Sequence, residues 1–331
     1  MIITKTPFRM SFFGGGTDFP SFFNEYKGSV LSTTFDKYCY VTVRHLPRFF
    51  EFSSELVYSV IERVNNIEDI NHPMIRNAMR WLDIREIRLL YEADLPARSG
   101  LGTSSSFAVG MLNAFHALKG QYIHQRALAD EAIYLERYLC GEAGGWQDQI
   151  AVSYGGFNRI DFFENDYKVH PVIISAKRKK ELEDNLMLFF TGFTRISAEI
   201  QKYTEQGLNR KQNQLMQMYS LVNEAESILT DSKKSMDEFG RLLNYTWSIK
   251  RKINSEISTD IIDEIYNKAL KAGALGGKLL GAGGGGFLLL YVPKERQMKV
   301  HIALKELMHV PFKFDNGGSQ VLYFSPETLN D

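Results

Sequence analysis

The sequence predicts an α+β protein built from two domains. Three observations lead to this prediction: the length, the mixture of strand-like and helical segments in the first half, and the longer helices that precede the last strands in the second half. At 331 residues the chain is about twice the usual length of a single domain. Its apolar fraction of 44% is sufficient for sizeable hydrophobic cores.

The first half is predicted to form a sheet with helices packed against it. A helix is predicted over residues 74–82, and two longer ones over 107–119 and 125–139. Each longer helix stops at a glycine, Gly120 or Gly141, which suits the left-handed conformation that closes many helices. Four runs have the composition of strands: IITKTPFRMSFF, SVLSTTF, YCYVTVRHL and IRLLYEADL.

A domain boundary is predicted near residues 174–183, where the strand-like VHPVIIS gives way to the charged AKRKKELED. The amino-terminal domain is therefore expected to span residues 1–178, and the carboxy-terminal domain residues 179–331. The run at 177–180 is interpreted as a solvated face.

The second half is predicted to be helix-rich and to close as an α/β sandwich. After the strand NLMLFFTG, apolar residues keep helical spacing in two stretches, the second of which follows a capping box at Ser235 and Glu238. Next come a helix over 259–272, a glycine-rich loop and a helix over 295–308, with FLLLYVP between them and the strands VPFKFD and SQVLYFS at the end. The two apolar stripes are Leu215, Met218, Val222, Ala225 and Leu229, then Phe239, Leu242, Leu243, Thr246 and Ile249.

Composition argues against several partners. With 39 basic and 39 acidic residues, no broad positive field is available to attract nucleic acid or anionic lipid. No run approaches the ~20 apolar residues of a membrane span, so we expect no membrane partner and a cytoplasmic location. The two cysteines, Cys39 and Cys140, are too few for a disulfide framework, and the seven histidines show no metal-ligand spacing.

A candidate phosphate-binding loop reads DLPARSGLGTSSSF and lies between a strand-like run and a helix. Gly100 and Gly102 let the backbone approach an anion closely, and four hydroxyl residues from Thr103 to Ser106 stand at the helix start, where the helix dipole favours negative charge. The alternative is that these hydroxyls only cap the helix. A triphosphate fits the segment better, since capping does not require both glycines.

A second glycine loop, Gly281 to Gly286, formally matches the dinucleotide pattern Gly-x-Gly-x-x-Gly. Its predicted order is helix, glycines, strand, whereas a Rossmann fingerprint runs strand, glycines, helix. A Walker loop is absent from the sequence because Lys278 is followed by leucine. An oxidoreductase is therefore disfavoured.

A third glycine cluster, PFRMSFFGGGTD from Pro7 to Asp18, completes a set of three ordered motifs that resembles the GHMP small-molecule kinases. That family carries an amino-terminal Pro-x-Arg/Lys segment, a central Pro-x-x-x-Gly-Leu-Gly-Ser-Ser loop and a carboxy-terminal glycine motif, which correspond here to residues 7–18, 96–105 and 278–287. The resemblance implies a two-domain fold: an amino-terminal mixed sheet with helices, like domain 2 of ribosomal protein S5, and a carboxy-terminal ferredoxin-like α/β sandwich.

The resemblance also implies ATP and Mg²⁺ as cofactors and a role for each motif residue. Asp148 is expected to be the general base, and Arg9 to neutralise the transferred group while keeping Asp148 ionised. Ser104 and Glu136 are expected to bind magnesium. Nucleotide binding is expected of Arg98, Ser99, Gly100, Leu101, Gly102, Thr103, Ser104, Ser105, Ser106, Gly283 and Gly284, and substrate binding of Gly15, Gly16, Thr17 and Asp18.

Each of these roles has a simpler alternative. Asp148 could cap a short helix, Arg9 could form a surface ion pair, Glu136 could be a solvated helix residue, and Gly16 to Asp18 could be only a turn. The spacing of 12 residues from Glu136 to Asp148 is one longer than in mevalonate kinases, and Gly15 and Gly16 stand where galactokinases have Glu and His.

Within the family, the chain is most similar to kinases of heptose 7-phosphates and to the kinase part of L-fucose kinases. This similarity rests on FFGGGTD, His72-Pro73, Glu136-Arg137, GWQDQ and the following Tyr-Gly-Gly. It implies ATP-dependent phosphorylation of the anomeric hydroxyl of D-glycero-D-manno-heptose 7-phosphate to the 1,7-bisphosphate, for nucleotide-activated heptose synthesis, by a monomer or homodimer. The alternatives are another sugar 1-kinase, such as a fucokinase, and a non-catalytic sugar- or nucleotide-binding regulator.

The terminal phosphate of such a substrate would require paired cations. The sequence offers Arg44, Arg98, Lys177, Arg178, Arg195 and Lys202. Arg195 and Lys202 are seven residues apart and would share a face if residues 194–206 are helical.

Overall fold

The computed structural model describes residues 1–97, 99–192, 211–253 and 257–325. Within these ranges, the strands form one nine-stranded sheet and one four-stranded sheet. The α+β class and the mixed larger sheet are therefore confirmed.

The larger sheet is built around two long antiparallel strands, β1 (Ile2–Phe13) and β2 (Gly28–His45). The runs SVLSTTF and YCYVTVRHL, predicted as separate strands, are parts of β2. The register of β2 against β1 shifts between Pro7 and Phe8, which pair with Tyr38 and Phe35. Asp36 and Lys37, which separate the two predicted runs, therefore form a bulge within one continuous strand.

Further elements extend this sheet. A short helix, α1 (Pro20–Tyr26), joins β1 to β2, and β3 (Ser54–Val57), β4 (Ile61–Val64) and β5 (Ile87–Ala93) form one side, with β3 parallel to β5. Strands β6 (Phe157–Phe163) and β7 (Asp166–Pro171) continue from β2. Helix α2 (Pro73–Trp81) agrees with its prediction within one residue at each end.

Three further helices follow in the first half of the chain. Helix α3 (Thr103–Leu118) begins four residues earlier than predicted and is buried along nearly its whole length against β1 and β2. Helix α4 (Gln125–Ile133) runs on into a π-helical turn (Tyr134–Leu139), so the predicted single helix changes its hydrogen-bonding pattern near its end. Helix α5 (Gln147–Tyr154) packs on α3 and α4.

The second half supplies the smaller antiparallel sheet and its helices. The charged run forms helix α6 (Ala176–Asp184), which contains the predicted boundary at residue 178; the division into domains remains a prediction. The sheet contains β8 (Leu186–Phe190), β9 (Gly276–Leu279), β10 (Phe287–Tyr291) and β11 (Met308–His309) in the order β11-β8-β10-β9. The helices are α7 (Gln212–Thr230), α8 (Asp237–Lys250), α9 (Asp260–Ala272) and α10 (Gln297–Ala303).

Both predicted apolar stripes are buried, on α7 and α8. Helix α8 packs on β9 and on β1, so it joins the two sheets.

The last two strands correct the predicted sandwich. β12 (Phe314–Asp315) pairs with β2, and β13 (Gln320–Phe324) pairs antiparallel with β1, so both belong to the larger sheet. The physical reason is that β2 pairs with only one edge of β1, and β13 supplies hydrogen-bonding partners for the other edge. The first and last described segments of the chain therefore lie side by side.

Within the described residues, no helix is long and apolar enough to cross a bilayer.

Candidate active site

A cleft lies where segments from the two halves of the chain meet. The first motif contributes Arg9 and Asp18, helix α5 contributes Asp148, and the third motif contributes Lys278 and Gly281. The structure therefore brings together residues that lie up to about 270 positions apart in the sequence. The hydroxyl of Ser11 also lines the cleft and has no hydrogen-bond partner in the described chain, as expected of a group available to a ligand.

Arg9 and Asp148 form a bidentate ion pair in the cleft. Nε of Arg9 donates to Oδ1 of Asp148 and Nη2 donates to Oδ2, each at 2.8 Å, while Nη1 donates to the carbonyl oxygen of Gly100 at 2.7 Å. Arg9 is only 3% exposed, so this is not a surface ion pair. Asp148 lies in the first turn of α5, whose N-cap is Trp146, so its carboxylate binds arginine instead of capping the helix. The two-point contact fixes the position of the carboxylate.

The predicted phosphate loop lies beside the Arg9–Asp148 pair at the start of α3, although none of its described residues lines the cleft. Its N-cap is Gly102, in a left-handed conformation at φ 74°, and no side chain caps the helix. The interpretation of the hydroxyls as a simple cap is therefore wrong. The backbone N–H of Arg9 donates to the Leu101 carbonyl oxygen at 3.1 Å, and the Ser106 hydroxyl donates to the Pro7 carbonyl oxygen at 2.9 Å. The first motif thus holds the loop in place, while Ser104 is exposed at the helix start.

The backbone of the phosphate loop is in direct contact with the backbone of the glycine segment at 281–286. A Cβ on Gly281 would lie 2.4 Å from the Gly100 Cα, and one on Gly286 would lie 2.3 Å from the Ser99 carbonyl oxygen. Only glycine allows this approach, so the third motif completes the wall of the phosphate loop. Gly283 and Gly284 instead lie against Ile257, whose carbonyl oxygen accepts a hydrogen bond from the Gly284 N–H at 3.0 Å.

Asp18 lies buried at the other end of the cleft. Its Oδ1 accepts a hydrogen bond from the Gly16 N–H at 2.9 Å, and its Oδ2 one from the Gln147 N–H at 3.4 Å. Burial, together with the Asp148 charge, raises the pKa of this carboxyl group, although the backbone N–H groups oppose the shift. A Cβ on Gly145 would lie 1.9 Å from Oδ2, so a glycine is required beside it.

The residues of the turn before Asp18 have two roles: some line the cleft, and others stabilise the turn itself. Gly15 and Gly16 line the cleft, as predicted for substrate-binding residues. Thr17, also predicted to bind substrate, is fully buried; its hydroxyl contacts the carbonyl oxygens of Gly14 and Ser29 at 2.8 and 2.9 Å. This contact fixes the turn and directs Thr17 away from the cleft.

The two predicted magnesium ligands differ in environment. Glu136 is 1% exposed, which rules out a solvated helix residue, and lies in the π-helical turn. Its carboxylate accepts hydrogen bonds from the Ser105 hydroxyl, at 2.8 Å, and from the Gln149 side chain. These hydrogen bonds join Glu136 to Ser105 rather than to Ser104. Among the described residues, no cluster of three or more His, Cys, Asp or Glu side chains could hold a metal by itself.

A carboxylate and an exposed hydroxyl still fit a Mg²⁺ ion that takes most of its ligands from phosphates and water. The Glu136 carboxylate has an acidic neighbour in Glu142, because burial and the Glu136 charge raise the pKa of Glu142 to about 6, while the Arg137 charge opposes the shift.

Three cleft cations had not been predicted. Lys250, the last residue of α8, donates to the Gly281 carbonyl oxygen at 2.6 Å. Lys278 donates to the carbonyl oxygens of Ser11 and Phe12 at 2.7 and 3.1 Å. The third, Arg137, donates to backbone carbonyl oxygens of the segment that precedes α5. Lys278 begins the third motif and Arg137 belongs to the Glu-Arg pair, but a lysine at the end of a helix carries no such signal.

The described candidate ligands for a terminal phosphate do not line the cleft. Arg44 lies on β2, and Arg178 donates to the carbonyl oxygens at the end of α7, including that of Ile228. Neither these two nor Lys177 lines the cleft. The other candidates, Arg98, Arg195 and Lys202, lie outside the described residues.

The geometry supports transfer of a phosphoryl group. A helix start and two touching glycine segments lie beside the paired arginine and aspartate, and a second, buried aspartate lines the same cleft as that pair. Charge neutralisation, a fixed proton acceptor and a polar acceptor site are the elements that such a transfer requires.

Comparison with protein families gives two matches. Residues 56–156 match the GHMP kinases N terminal domain, and residues 225–308 match the GHMP kinases C terminal domain. Together the two models span more than half of the chain.

Individual relatives agree with these matches. The chain is 29% identical over 92% of its length to a D-glycero-alpha-D-manno-heptose 7-phosphate kinase of Campylobacter jejuni, 93% of which is covered. It is 32% identical over 66% of its length to an L-fucokinase/L-fucose-1-P guanylyltransferase of Bacteroides fragilis, of which only 23% is covered. The crystal structure of a D-glycero-D-manno-heptose 1-phosphate kinase from Bacteroides thetaiotaomicron has the same fold, with a TM-score of 0.79 at 24% identity over 98% of this chain and 100% of that one.

Proposed function

Because the chain belongs to the GHMP kinase family and is a phosphotransferase with an alcohol group as acceptor, we propose that it transfers the γ-phosphoryl group of ATP to the anomeric hydroxyl of D-glycero-D-manno-heptose 7-phosphate. The product would be the 1,7-bisphosphate, a precursor for nucleotide-activated heptose. The observation that carries this proposal is the bidentate Arg9–Asp148 pair, which stands between the glycine segments and the buried Asp18.

The two ends of the cleft are assigned to the two substrates. The N–H groups at the start of α3, with the loop from Ser99 to Ser106, would hold the ATP phosphates. Asp18, beside Gly15 and Gly16, would accept hydrogen bonds from two sugar hydroxyls, as a carboxylate can. Gly283 and Gly284 would contribute indirectly, as part of the glycine segment that packs against the phosphate loop.

Magnesium would be held by Ser104 and Glu136 together with nucleotide oxygens. When bound, it would supply positive charge to the phosphate oxygens. The hydrogen bond from Ser105 orients the Glu136 carboxylate for this role.

The transfer assigns one task to each member of the ion pair. The anomeric oxygen of the sugar attacks the γ-phosphorus, the bond from that phosphorus to the bridging oxygen of ADP breaks, and the hydroxyl proton passes to a carboxylate oxygen of Asp148. Arg9 holds Asp148 in position through two hydrogen bonds and contributes positive charge next to Gly100. No water is required in the step.

The choice of heptose rests on the Campylobacter relative, which covers almost the whole chain. A fucose 1-kinase is the second candidate, favoured by the higher identity of the Bacteroides fragilis relative over a shorter stretch. We further propose a cytoplasmic enzyme, a monomer or homodimer, with its domains divided near residue 178.

A coupled ADP-release assay tests the proposal. Mannoheptose 7-phosphate should be turned over much faster than unphosphorylated mannoheptose, fucose or galactose at equal concentration, and ³¹P NMR of the product should show a new phosphate on the anomeric carbon. Faster turnover of free fucose would identify fucose, rather than the heptose phosphate, as the substrate. Absence of ADP release with every sugar would favour a non-catalytic regulator.

A further inference from the structure

Lys250 stands out among the cleft residues because its ammonium group is buried with few hydrogen-bond partners. The residue is 9% exposed, and among the described residues its hydrogen-bond partner is the Gly281 carbonyl oxygen, at 2.6 Å. An ammonium group carries three donors. Because Lys250 lines the cleft, its remaining donors are available to a ligand bound there.

The other cleft cations are already engaged. Arg9 uses its guanidinium on Asp148 and Gly100. Lys278 binds two carbonyl oxygens of β1 and so ties the third motif to the first. Of the cations that line the described cleft, Lys250 is therefore the one best able to bind an incoming anion.

The position of Lys250 indicates which anion. Its partner Gly281 packs against Gly100, and the Gly100 carbonyl oxygen accepts the bond from Arg9. Arg9 and Lys250 are thus each tied to one of the two touching glycine segments, on the side of the phosphate loop and on the side of the third motif.

We propose that Lys250 is a catalytic residue that donates hydrogen bonds to the γ-phosphoryl group while that group passes from ATP to the acceptor hydroxyl. This proposal rests on the proposed kinase function but not on the identity of the sugar. Lys250 forms no covalent bond and exchanges no proton in the step. Its role is to balance negative charge that spreads over the equatorial oxygens of the phosphoryl group.

The charge balance of the cleft supports this role. Arg9 is neutralised by Asp148, and Arg137, the other cation from the first half of the chain that lines the described cleft, donates to backbone carbonyl oxygens. Lys250 interacts electrostatically with the carboxylates of Asp18 and Asp148 as well as with Arg9, and burial together with the Lys250 charge lowers the pKa of Lys278. A phosphoryl group would satisfy both the charge and the spare donors of this buried amine.

A different ligand, the terminal phosphate of the sugar, fits less well. That phosphate is attached at the end of the exocyclic carbons, away from the anomeric oxygen, whereas Lys250 is tied to the glycine segments at the nucleotide end of the cleft. The two assignments predict different kinetic effects, because a ligand for the terminal phosphate would mainly change KM for the sugar.

The test compares Lys250→Met, Lys250→Arg and the control Lys271→Met, which removes an exposed lysine near the end of α9. Each folded variant is assayed with the sugar that the wild-type enzyme uses fastest, and binding of ATP and of Mg-ADP with aluminium fluoride, a mimic of the phosphoryl group in transit, is measured by calorimetry. Lys250→Met should lower kcat about 100-fold or more and weaken aluminium fluoride binding comparably, with ATP affinity nearly unchanged. Lys250→Arg should restore part of both, and Lys271→Met should match wild type.

Several results would overturn the proposal. These are a wild-type kcat in Lys250→Met, an equal loss of ATP and aluminium fluoride binding, or a loss confined to KM for the phosphorylated sugar. The fluoride measurement uses no sugar, so it decides the role of Lys250 even if the wild-type enzyme acts on none of the sugars tested. In that case the sugar-kinase proposal fails separately.

Discussion

Gly145 should control the position of Asp18, and Gly145→Ala tests this directly. The added Cβ would lie 1.9 Å from Oδ2 of Asp18 and 2.4 Å from its Cγ, whereas ordinary contacts begin near 3.4 Å. The carboxylate must therefore move by roughly 1.5 Å, and a misplacement of about 1 Å at a reacting centre costs on the order of 100-fold in rate. The backbone at Gly145 is not in the left-handed region, so the substitution tests space rather than backbone strain.

The expected result is a fall of about 100-fold in kcat/KM for the sugar, with ATP affinity unchanged because the phosphate loop is untouched. The assay is coupled ADP release, run at high enzyme concentration, with calorimetric titration of ATP. The control is the same substitution in an Asp18→Ala background, where the displaced carboxylate is absent and the further loss should be much smaller. An equal loss in both backgrounds, or wild-type kinetics in Gly145→Ala, would refute the argument.

Three further predictions follow from the same site. Asp148→Asn should keep substrate affinities but lower kcat by about 100-fold or more, and a wild-type kcat would remove Asp148 from the mechanism. Ser104→Ala should raise the magnesium concentration needed for half-maximal activity while leaving affinity for free ADP unchanged; an unaltered magnesium titration would place the metal elsewhere. Activity should fall as the pH rises through about 8, because burial and the Arg9 charge lower the pKa of Lys250 to about 8 and only the protonated amine carries charge. In a pH–rate profile, Lys250→Arg should move this fall in activity to higher pH. If the fall stays at the same pH, it arises from the titration of another group.

Local patterns accounted for much of the fold. Strand β1 agrees with its prediction residue by residue, and the buried stripes of α7 and α8 were visible from spacing alone. Strand β9 was missed because its sequence, GGKL, has few residues of strand composition. Its stability comes instead from pairing with β10 on one side and close packing of α8 on the other.

The site was predictable to the extent that its residues belong to motifs. Arg9, Asp18 and Asp148 were singled out by resemblance, and they meet in the cleft. Thr17 lies in the same motif but supports the turn, since alternate residues of a tight segment face opposite ways. Lys250 could not be identified, because only the tertiary structure brings the end of α8 to Gly281.

The pairing of β13 with β1 has a consequence for synthesis of the chain on the ribosome. Residues 2–5 emerge early but pair with residues 320–324, which are made roughly 300 residues later. At about 5–20 residues per second, this delay is about 15–60 s. One edge of β1 therefore stays open to other strands, and to a chaperone, until residues 320–324 have been made.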